Sequence, residues 1–307
     1  MQYTVAMTLL LVVIGVPPAR AQSVVFRAGV DLVDFSVTVT DRRGELVTDL
    51  TEDDFEVYDE RQQQTIAYFA TGTSREEEDL PLHLGLLFDT SGSMSEDLEL
   101  SRSAAVKFLN ALPAAESMTL VDFDTEVRVA RYGQADFPRL VERIRMRKPD
   151  GWTALYDALG VYLDGAAAQV GKKVLVLYTD GGDTRSSITF SEAVDLLKLS
   201  DVTVYAIGFL DHQPGRDRIA QRQRLTRFAG LTGGMAFFPS RAEALDEVYE
   251  QIRREIEAQY SLGYLPADLE MNGHWRDVEI RIVRPDADQL KIRTRQGYFA
   301  PYREPNP

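Results

Sequence analysis

Residues 86–94 read Leu-Leu-Phe-Asp-Thr-Ser-Gly-Ser-Met, an apolar run that ends abruptly at Asp89. The apolar residues predict a buried strand, and the small and hydroxylated residues that follow predict a tight, extended loop. In such a loop the side-chain oxygens of Asp89, Ser91 and Ser93, at alternate positions, can converge on one point. One carboxylate and two hydroxyls are hard ligands, which suit Mg²⁺ or another hard divalent ion better than zinc or copper. The segment therefore predicts a buried strand followed by part of a metal site.

Two later segments supply oxygen ligands of the same kind. Alone, the Asp-x-Ser-x-Ser pattern more often forms a turn or a helix cap, and Ser93 with Glu96 has the spacing of a capping box. Thr153 precedes a predicted helix and Asp180 follows an apolar run over 174–179, and each has an N-cap or a turn as its ordinary interpretation. Ligands of an open α/β sheet bind at the carboxyl ends of its strands. Three such segments in order therefore predict one site at that edge.

The pattern around these segments predicts an α/β domain with a doubly wound, mostly parallel sheet, because apolar runs alternate with helical spacing from Leu82 to about Glu257. The predicted strands span 84–88, 118–123, 173–178 and 202–209, and the predicted helices span 99–112, 154–170, 191–199 and 241–259. Capping boxes at Thr189–Glu192 and Ser240–Glu243 are expected to open the last two helices.

The regions on either side of this domain read as short strands. Alternating or β-branched runs cover 33–40, 54–58 and 65–70 before it, and 260–264, 277–283, 289–294 and 297–300 after it. The four strands after the α/β domain are few for a free-standing domain. The expectation is therefore one β-sandwich built from both ends of the chain, with the α/β domain inserted between them. The predicted divisions are a signal peptide (1–21), an N-terminal β segment (22–74), a linker (75–81), the α/β domain (82–257) and a C-terminal β segment (258–307).

Composition excludes several classes of protein. At 307 residues and 44% apolar, the chain can bury real cores, which excludes a disordered protein. A net charge of −14 argues against nucleic acid as a partner, because phosphate binding depends on Lys and Arg. With no cysteine, disulfides, thiolate metal sites and cysteine nucleophiles are absent.

The N-terminus has the features of an export signal. An apolar core over 5–16 is followed by Pro17-Pro18 and by Ala19-Arg20-Ala21, which resembles a cleavage site. The core is shorter than the roughly 20 apolar residues that span a bilayer. The usual basic residues at the start are missing, so a buried N-terminal element or an anchor is the alternative. The expectation is an exported protein, periplasmic or secreted, with no membrane span after cleavage.

The segment 82–257 resembles a von Willebrand factor type A (VWA) domain. The residues that carry this resemblance are Asp89, Ser91, Ser93, Thr153 and Asp180. The resemblance implies a metal-ion-dependent adhesion site made by these five residues in three loops, holding Mg²⁺, with Mn²⁺ or Ca²⁺ as alternatives. It also implies that an Asp or Glu of a protein partner completes the coordination. The flanking segments 41–58 and 295–298 resemble a VWA-related group described mainly from acidobacteria.

The function predicted on this basis is a non-enzymatic, exported protein that binds a protein ligand through a divalent metal. The alternatives are a metal-dependent hydrolase and a structural envelope component with an unused metal site. A hydrolase needs a general base near the ion, and of the histidines at 83, 212 and 274 only His212 is expected at the correct edge. No Gly-x-Ser-x-Gly or phosphate-binding motif is present, and no catalytic residue is predicted.

Several residues near the predicted site have two interpretations. Trp152 is either a contact on the binding face or a buried aromatic residue. The basic residues of 143–148 are interpreted as a solvated face, with steering of an acidic partner as the alternative. Asp183 is expected to face solvent, and so are the arginines of a predicted helix, which are Arg216, Arg218, Arg222, Arg224 and Arg227.

Overall fold

The structure is a computed structural model, and it describes residues 32–72, 81–111, 115–268 and 270–302. These residues belong to a single unit of the chain. The predicted signal peptide and most of the predicted linker lie outside the described residues.

The strands alternate with helices only in the middle of the chain, as the sequence pattern predicts. In chain order the strands are β1 (Val33–Thr40), β2 (Phe55–Asp59), β3 (Gln62–Gln64), β4 (Ile66–Ala70), β5 (Leu82–Asp89), β6 (Ser117–Phe123), β7 (Val127–Gly133), β8 (Lys172–Thr179), β9 (Thr203–Gly208), β10 (Ala236–Phe237), β11 (Tyr260–Tyr264), β12 (Trp275–Ile282), β13 (Lys291–Arg293) and β14 (Gly297–Phe299).

The α-helices of the described residues lie between β5 and β11. They are α1 (Leu98–Ala111), α2 (Phe137–Met146), α3 (Leu155–Ala167), α4 (Phe190–Leu199), α5 (Gly215–Leu231) and α6 (Ala242–Ala258). The capping box predicted at Thr189 and Glu192 opens α4. The start predicted for α6 is wrong, because Arg241 occupies the N-cap and no side chain caps the helix. Within the described ranges, no helix combines the length and the apolar character that crossing a membrane requires.

The central sheet has the strand order β10-β9-β8-β5-β6-β7, and every pairing is parallel except that of β7 with β6. Both faces of the sheet are covered. Phe88 of β5 packs in one buried cluster with residues of α1, α2 and α6. The next residue, Leu87, points to the opposite face and packs with residues of α3, α4 and α5. This arrangement confirms the predicted doubly wound, mostly parallel α/β fold.

The edge strand β7 and helix α2 are absent from the sequence prediction, and one buried carboxylate ties both to the sheet. Asp122 of β6 is fully buried. It accepts hydrogen bonds from Nε of Arg128 on β7 and Nε of Arg143 on α2, both at 2.8 Å, and Nη2 of Arg147 lies 2.8 Å from it. The interpretation of 143–148 as a solvated or steering face is therefore wrong for Arg143 and Arg147, which neutralise an internal charge.

The terminal strands form a sandwich of two four-stranded sheets, with orders β13-β1-β11-β4 and β14-β12-β2-β3. Each sheet combines two strands from before the α/β domain with two from after it. Their facing side chains share one apolar core, to which Phe35, Val57, Leu262 and Ile280 belong. The predicted insertion of an α/β domain between the two halves of a sandwich is therefore confirmed as an architecture.

The sandwich meets the amino ends of the central strands. Arg295 reaches the backbone oxygen of Ser200, just before β9, and Lys172 at the start of β8 bonds the backbone oxygen of Gln259. Ala70 at the end of β4 pairs with Ser261 in β11. The carboxyl ends of the central strands, where the predicted site lies, are consequently at the opposite end from the sandwich.

Candidate metal site

The five predicted ligands come from three segments at the carboxyl edge of the central sheet. Asp89 ends β5, Thr153 lies two residues before α3, and Asp180 follows the last residue of β8. The relative exposure is 0% for Asp89 and Ser91, 1% for Asp180 and 5% for Thr153, whereas Ser93 is exposed. Four of the five predicted ligands are therefore buried, and the hydroxyl group of Ser93 is on the exposed side.

The first loop folds back on its own aspartate. The backbone N–H of Ser91 donates to Asp89 Oδ1 at 2.9 Å, and the hydroxyls of Ser91 and Ser93 lie 3.1 Å apart. Helix α1 begins only at Leu98, so Ser93 does not open it with Glu96. The capping-box interpretation is therefore wrong, and the two serine hydroxyls are neighbours beside the carboxylate.

Backbone hydrogen bonds hold the second loop to the first. Asp150 N–H donates to the Thr90 oxygen at 3.0 Å, and Gly92 N–H donates to the Gly151 oxygen at 3.1 Å. Gly151 has φ +72°, and a Cβ there would lie 2.3 Å from Oγ1 of Thr125. Only glycine fits this turn without displacing a neighbour, and the turn fixes the backbone immediately before Thr153.

Thr153 also ties the second loop to the third. Its backbone N–H donates to Thr184 Oγ1 at 3.0 Å, and its backbone oxygen accepts from Thr184 N–H at 2.9 Å. Asp183 takes part in the same contact region, because its Oδ1 accepts from Tyr156 N–H at 3.2 Å and Ser186 Oγ at 2.6 Å. The expectation that Asp183 faces solvent is therefore wrong, since it anchors the start of α3.

The third loop contacts the first through a residue that sequence reasoning missed. Thr179, the last residue of β8, donates from Oγ1 to Asp89 Oδ2 at 2.5 Å and accepts from Gly181 N–H at 3.0 Å. Thr179 is fully buried. A terminal strand residue gives no sequence signal for this role, because its direction depends on the register between β5 and β8. Each oxygen of Asp89 thus has a hydrogen-bond donor from within the site.

Asp180 is held by donors from two loops. Gly182 N–H donates to its Oδ1 at 2.7 Å, and Nε2 of Gln213 donates to its Oδ2 at 2.8 Å. Gln213 lies in the loop between β9 and α5, a fourth segment at the same edge. The sequence contains no motif that marks Gln213, and it enters the site only because β9 lies beside β8.

The electrostatics of the site are those of two buried carboxylates that lack a counter-charge. Burial first, and then the charge of Asp180, raise the pKa of Asp89 to about 7, although hydrogen bonds from Ser91 and Thr179 act in the opposite direction. Within the described part of the chain, neither carboxylate forms an ion pair with a Lys, Arg or His side chain. The protein side chains thus leave negative charge uncompensated at this position.

The donor set fits a hard divalent cation. It offers carboxylate and hydroxyl oxygens, and it has no nitrogen or sulfur ligand, which suits Mg²⁺, Mn²⁺ or Ca²⁺. Across the described ranges, no group of three or more His, Asp or Glu side chains is placed to hold a metal ion. A metal site built on carboxylates and imidazoles alone is therefore not found there, and the mixed set at Asp89 is the candidate that the fold offers.

Two further side chains lie at this edge. Trp152, next to Thr153, is 63% exposed, so the structure favours the surface interpretation over the buried one. His212, in the loop after β9, lies at this edge as expected. Its Nε2 is 3.1 Å from Oε2 of Glu96 and its Nδ1 is 3.2 Å from Oδ2 of Asp97.

A comparison with protein families supplies the classification of the central domain. The family model for the von Willebrand factor type A domain matches residues 83–251, which is more than half of the chain. The chain belongs to the von Willebrand factor type A family. The matched residues begin in β5 and end in α6, so they contain the central sheet apart from the first residue of β5, and all five predicted ligands of the VWA domain. No curated protein matches the chain significantly.

The solved structures that are similar to this chain include two bacterial pilus proteins. The PilB minor pilin from Streptococcus sanguinis is 20% identical over 60% of this chain and 63% of its own, with a TM-score of 0.49. The vWF domain of the type V pili tip protein Mfa5 from Porphyromonas gingivalis is 14% identical over 58% of this chain and 97% of its own, with a TM-score of 0.46. A von Willebrand factor type A protein from Catenulispora acidiphila is 12% identical over 91% of this chain and 76% of its own, also at 0.46. This chain spans less than two thirds of the length of the pilin.

Proposed function

We propose that the protein binds a protein ligand through a divalent metal ion at the edge of its VWA domain. The residues that would hold the ion are Asp89, Ser91, Ser93, Thr153 and Asp180, which together would form a metal-ion-dependent adhesion site. Mg²⁺ is the proposed ion, and Mn²⁺ and Ca²⁺ are the alternatives. The ion would supply a Lewis-acidic centre to which a carboxylate of the partner binds.

The observation that carries the proposal is the pair of buried carboxylates, Asp89 and Asp180, neither of which forms an ion pair with a cationic side chain of the described residues. Burying an ionised carboxylate without a partner is costly, and proteins normally neutralise such groups or pair them. The same chain does pair its buried Asp122, with three arginines. The contrast supports a cation as the missing partner at Asp89 and Asp180.

The chemistry of the set also supports a partner carboxylate as the last ligand. Mg²⁺ prefers about six oxygens, and the hydroxyls of Ser91, Ser93 and Thr153 are neutral. Ser93 is exposed while the other four are buried, so the set opens to solvent on the side of Ser93. A carboxylate oxygen of a partner could reach the ion from that side, and its negative charge would complement that of the cation.

The histidines support binding rather than hydrolysis. His83 lies at the amino end of β5, where Nδ1 is 2.8 Å from Oγ of Ser117 and Nε2 is 2.9 Å from the backbone oxygen of Val170. His212 is occupied by two carboxylates of the segment before α1. Neither arrangement offers a free imidazole base beside the five proposed ligands.

The proposal includes export, on the basis of the predicted signal over 1–21. It places the protein in the periplasm or outside the cell, where a protein ligand would be met. The resemblance of segments 41–58 and 295–298 to the acidobacterial VWA-related group stays a prediction.

Calorimetric titration of Mg²⁺ and Mn²⁺ tests the metal site directly. Asp89→Asn keeps the shape of the side chain but removes a charge, and it is expected to abolish the binding heat seen with the wild-type protein. Asp150→Asn is the matched control. It removes an exposed carboxylate from the second loop, yet the amide oxygen can still accept from Gly151 N–H. Equal heats from the wild type and Asp89→Asn would refute the site.

A pull-down from an envelope extract tests the proposed ligand class. Proteins retained by the wild type in Mg²⁺ are expected to be released by EDTA and to be absent with Asp89→Asn. Retention that is the same with and without EDTA would place the binding surface elsewhere on the protein.

A further inference from the structure

We propose that helix α5, beside the candidate metal site, forms a cationic docking surface for an acidic segment of the protein ligand. The inference rests on the proposed function, because it extends the recognition from the metal ion to the adjacent surface. The partner segment would place one carboxylate at the metal site and further carboxylates along α5.

Helix α5 has a charge opposite to that of the whole protein. It contains five arginines and a single acidic residue, Asp217, in a chain whose net charge is −14. Elsewhere in the described ranges many arginines pair internally, as Arg128, Arg253 and Arg276 do with nearby carboxylates. None of the five on α5 forms an ion pair with any described carboxylate. Arg224 is half-buried, whereas the other four arginines are exposed, and their positive charge is therefore available to a partner.

Aromatic rings hold several of these guanidinium groups in place. The guanidinium carbon of Arg222 lies 3.9 Å from the ring centre of Phe238, and that of Arg227 lies 5.6 Å from the ring centre of Phe190. Stacked guanidinium groups keep their N–H donors free in the plane of the fork, where carboxylates bind. Less side-chain entropy is then lost when a carboxylate binds.

A pocket of about 280 Å³ lies beside two of the arginines. Arg218 and Arg222 contribute to its wall, together with Phe238, Leu210 and Ile219. Ile219 is 61% exposed. Asp211 also contributes to the wall, so the pocket combines two cationic groups with one acidic group and apolar surface. The two arginines outnumber the carboxylate, which suits an acidic side chain flanked by an apolar one.

The surface is continuous with the candidate metal site. Gln213, two residues before α5, donates to Asp180. On the other flank of the helix, Arg224 donates to the backbone oxygen of Gly181, the residue after Asp180. A polypeptide with one carboxylate at the metal would therefore lie within reach of the start of α5. Charge complementarity and this proximity favour an acidic protein segment as the occupant.

The test uses the full chain and a fluorescent oligoglutamate peptide, with binding measured by fluorescence anisotropy in Mg²⁺ and in EDTA. The paired variant Arg218→Gln/Arg222→Gln removes two charges from the pocket. The control variant Arg43→Gln/Arg145→Gln removes two exposed arginines that also lack an ion pair among the described residues, one in the sandwich and one on the opposite face of the central sheet. Arg218→Lys/Arg222→Lys keeps the charge and checks that the pocket variant acts through charge.

The pocket variant is expected to weaken peptide binding about fivefold to tenfold in both Mg²⁺ and EDTA, since exposed charge pairs are individually weak. The control and the lysine variant are expected to bind nearly as the wild type does. The difference should shrink as ionic strength rises past about 0.15 M, where the Debye length is about 8 Å. Equal losses in the pocket and control variants, or no loss in either, would overturn the docking surface.

Two further results distinguish this inference from the metal-bridged function and from a general polyanion site. If EDTA leaves wild-type affinity unchanged while the pocket variant still loses binding, the docking surface stands and the metal-bridged function fails. If a single-stranded DNA of equal charge binds as tightly as oligoglutamate and with the same dependence on Arg218 and Arg222, the surface is a general polyanion site and the acidic-protein proposal is overturned.

Discussion

Replacement of Asp122 by asparagine should strongly destabilise the VWA domain. The side chain keeps its size but loses its charge, so Arg143 and Arg147 lose the carboxylate that neutralises them, and Arg128 loses one of its carboxylate partners. The asparagine has one accepting oxygen in place of two, and its amide N–H groups would face arginine N–H groups. About two charge-assisted hydrogen bonds are lost, each contributing about 1.5–3 kcal/mol.

The size of the loss in unfolding free energy depends on how exposed the three arginines are. Their side chains are 24%, 26% and 30% exposed, so after the substitution each can turn towards water instead of remaining buried and unpaired. Breaking a fully buried pair costs about 3–5 kcal/mol, and this partial exposure moves the expectation to the lower end, about 3 kcal/mol. That is a large part of a typical total stability of about 5–15 kcal/mol.

Urea denaturation followed by circular dichroism measures the change through the shift of the midpoint at constant slope. Asp124→Asn is the control, because Asp124 also pairs with Arg128 but is 17% exposed, and its loss should cost about 1 kcal/mol. Hydrogen exchange adds a local readout, since the amides of β7 should lose protection before those of β5. A loss for Asp122→Asn no larger than for Asp124→Asn would refute the reasoning.

Two smaller predictions concern backbone geometry. Gly151→Ala should destabilise the protein more than Gly44→Ala and should weaken Mg²⁺ binding. Both glycines have positive φ, which costs alanine about 1–2 kcal/mol, but only Gly151 has an atom, Thr125 Oγ1, in the way of a Cβ; equal urea midpoints for the two variants would contradict this. Thr189→Ala should cost about 1 kcal/mol by removing the cap that accepts from Glu192 N–H, whereas Thr189→Ser should stay near wild type in the same assay.

The parts of the fold that the sequence predicts well are those decided by local pattern. The strands β5, β6, β8 and β9 are near-continuous apolar runs, because both faces of a parallel sheet are covered. The alternation in β1 and β2 reflects a sandwich strand with one buried face, and it predicts β1 to the residue. The burial of each of these strands can therefore be predicted from its own residues.

The elements that the prediction misses depend on distant partners. In β7 and α2 the arginines suggest solvent, yet Arg128 and Arg143 complete a buried ion cluster with Asp122. Arg143 lies 21 positions from Asp122 in the chain, and no local pattern encodes that contact. Burial by charge pairing is therefore mistaken for exposure when only composition is considered.

The candidate site shows the same division. The five proposed ligands can be predicted because their motif is local to each loop, and the loops follow in a fixed order. Thr179 and Gln213 escape prediction because they reach Asp89 and Asp180 only through the pairing of β8 with β5 and β9. The contacts that orient the proposed ligands thus depend on the pairing of the strands, which no local sequence pattern predicts.

The pairing of Ala70 with Ser261 has a mechanical consequence. The chain leaves the sandwich at the end of β4 and returns to it in β11, its hydrogen-bonded neighbour. Both ends of the VWA domain are therefore attached to the sandwich at one place, and the carboxyl edge of its central sheet points away from the sandwich. A force applied at that edge would reach the sandwich along both strands together, so the tension would divide between two covalent connections.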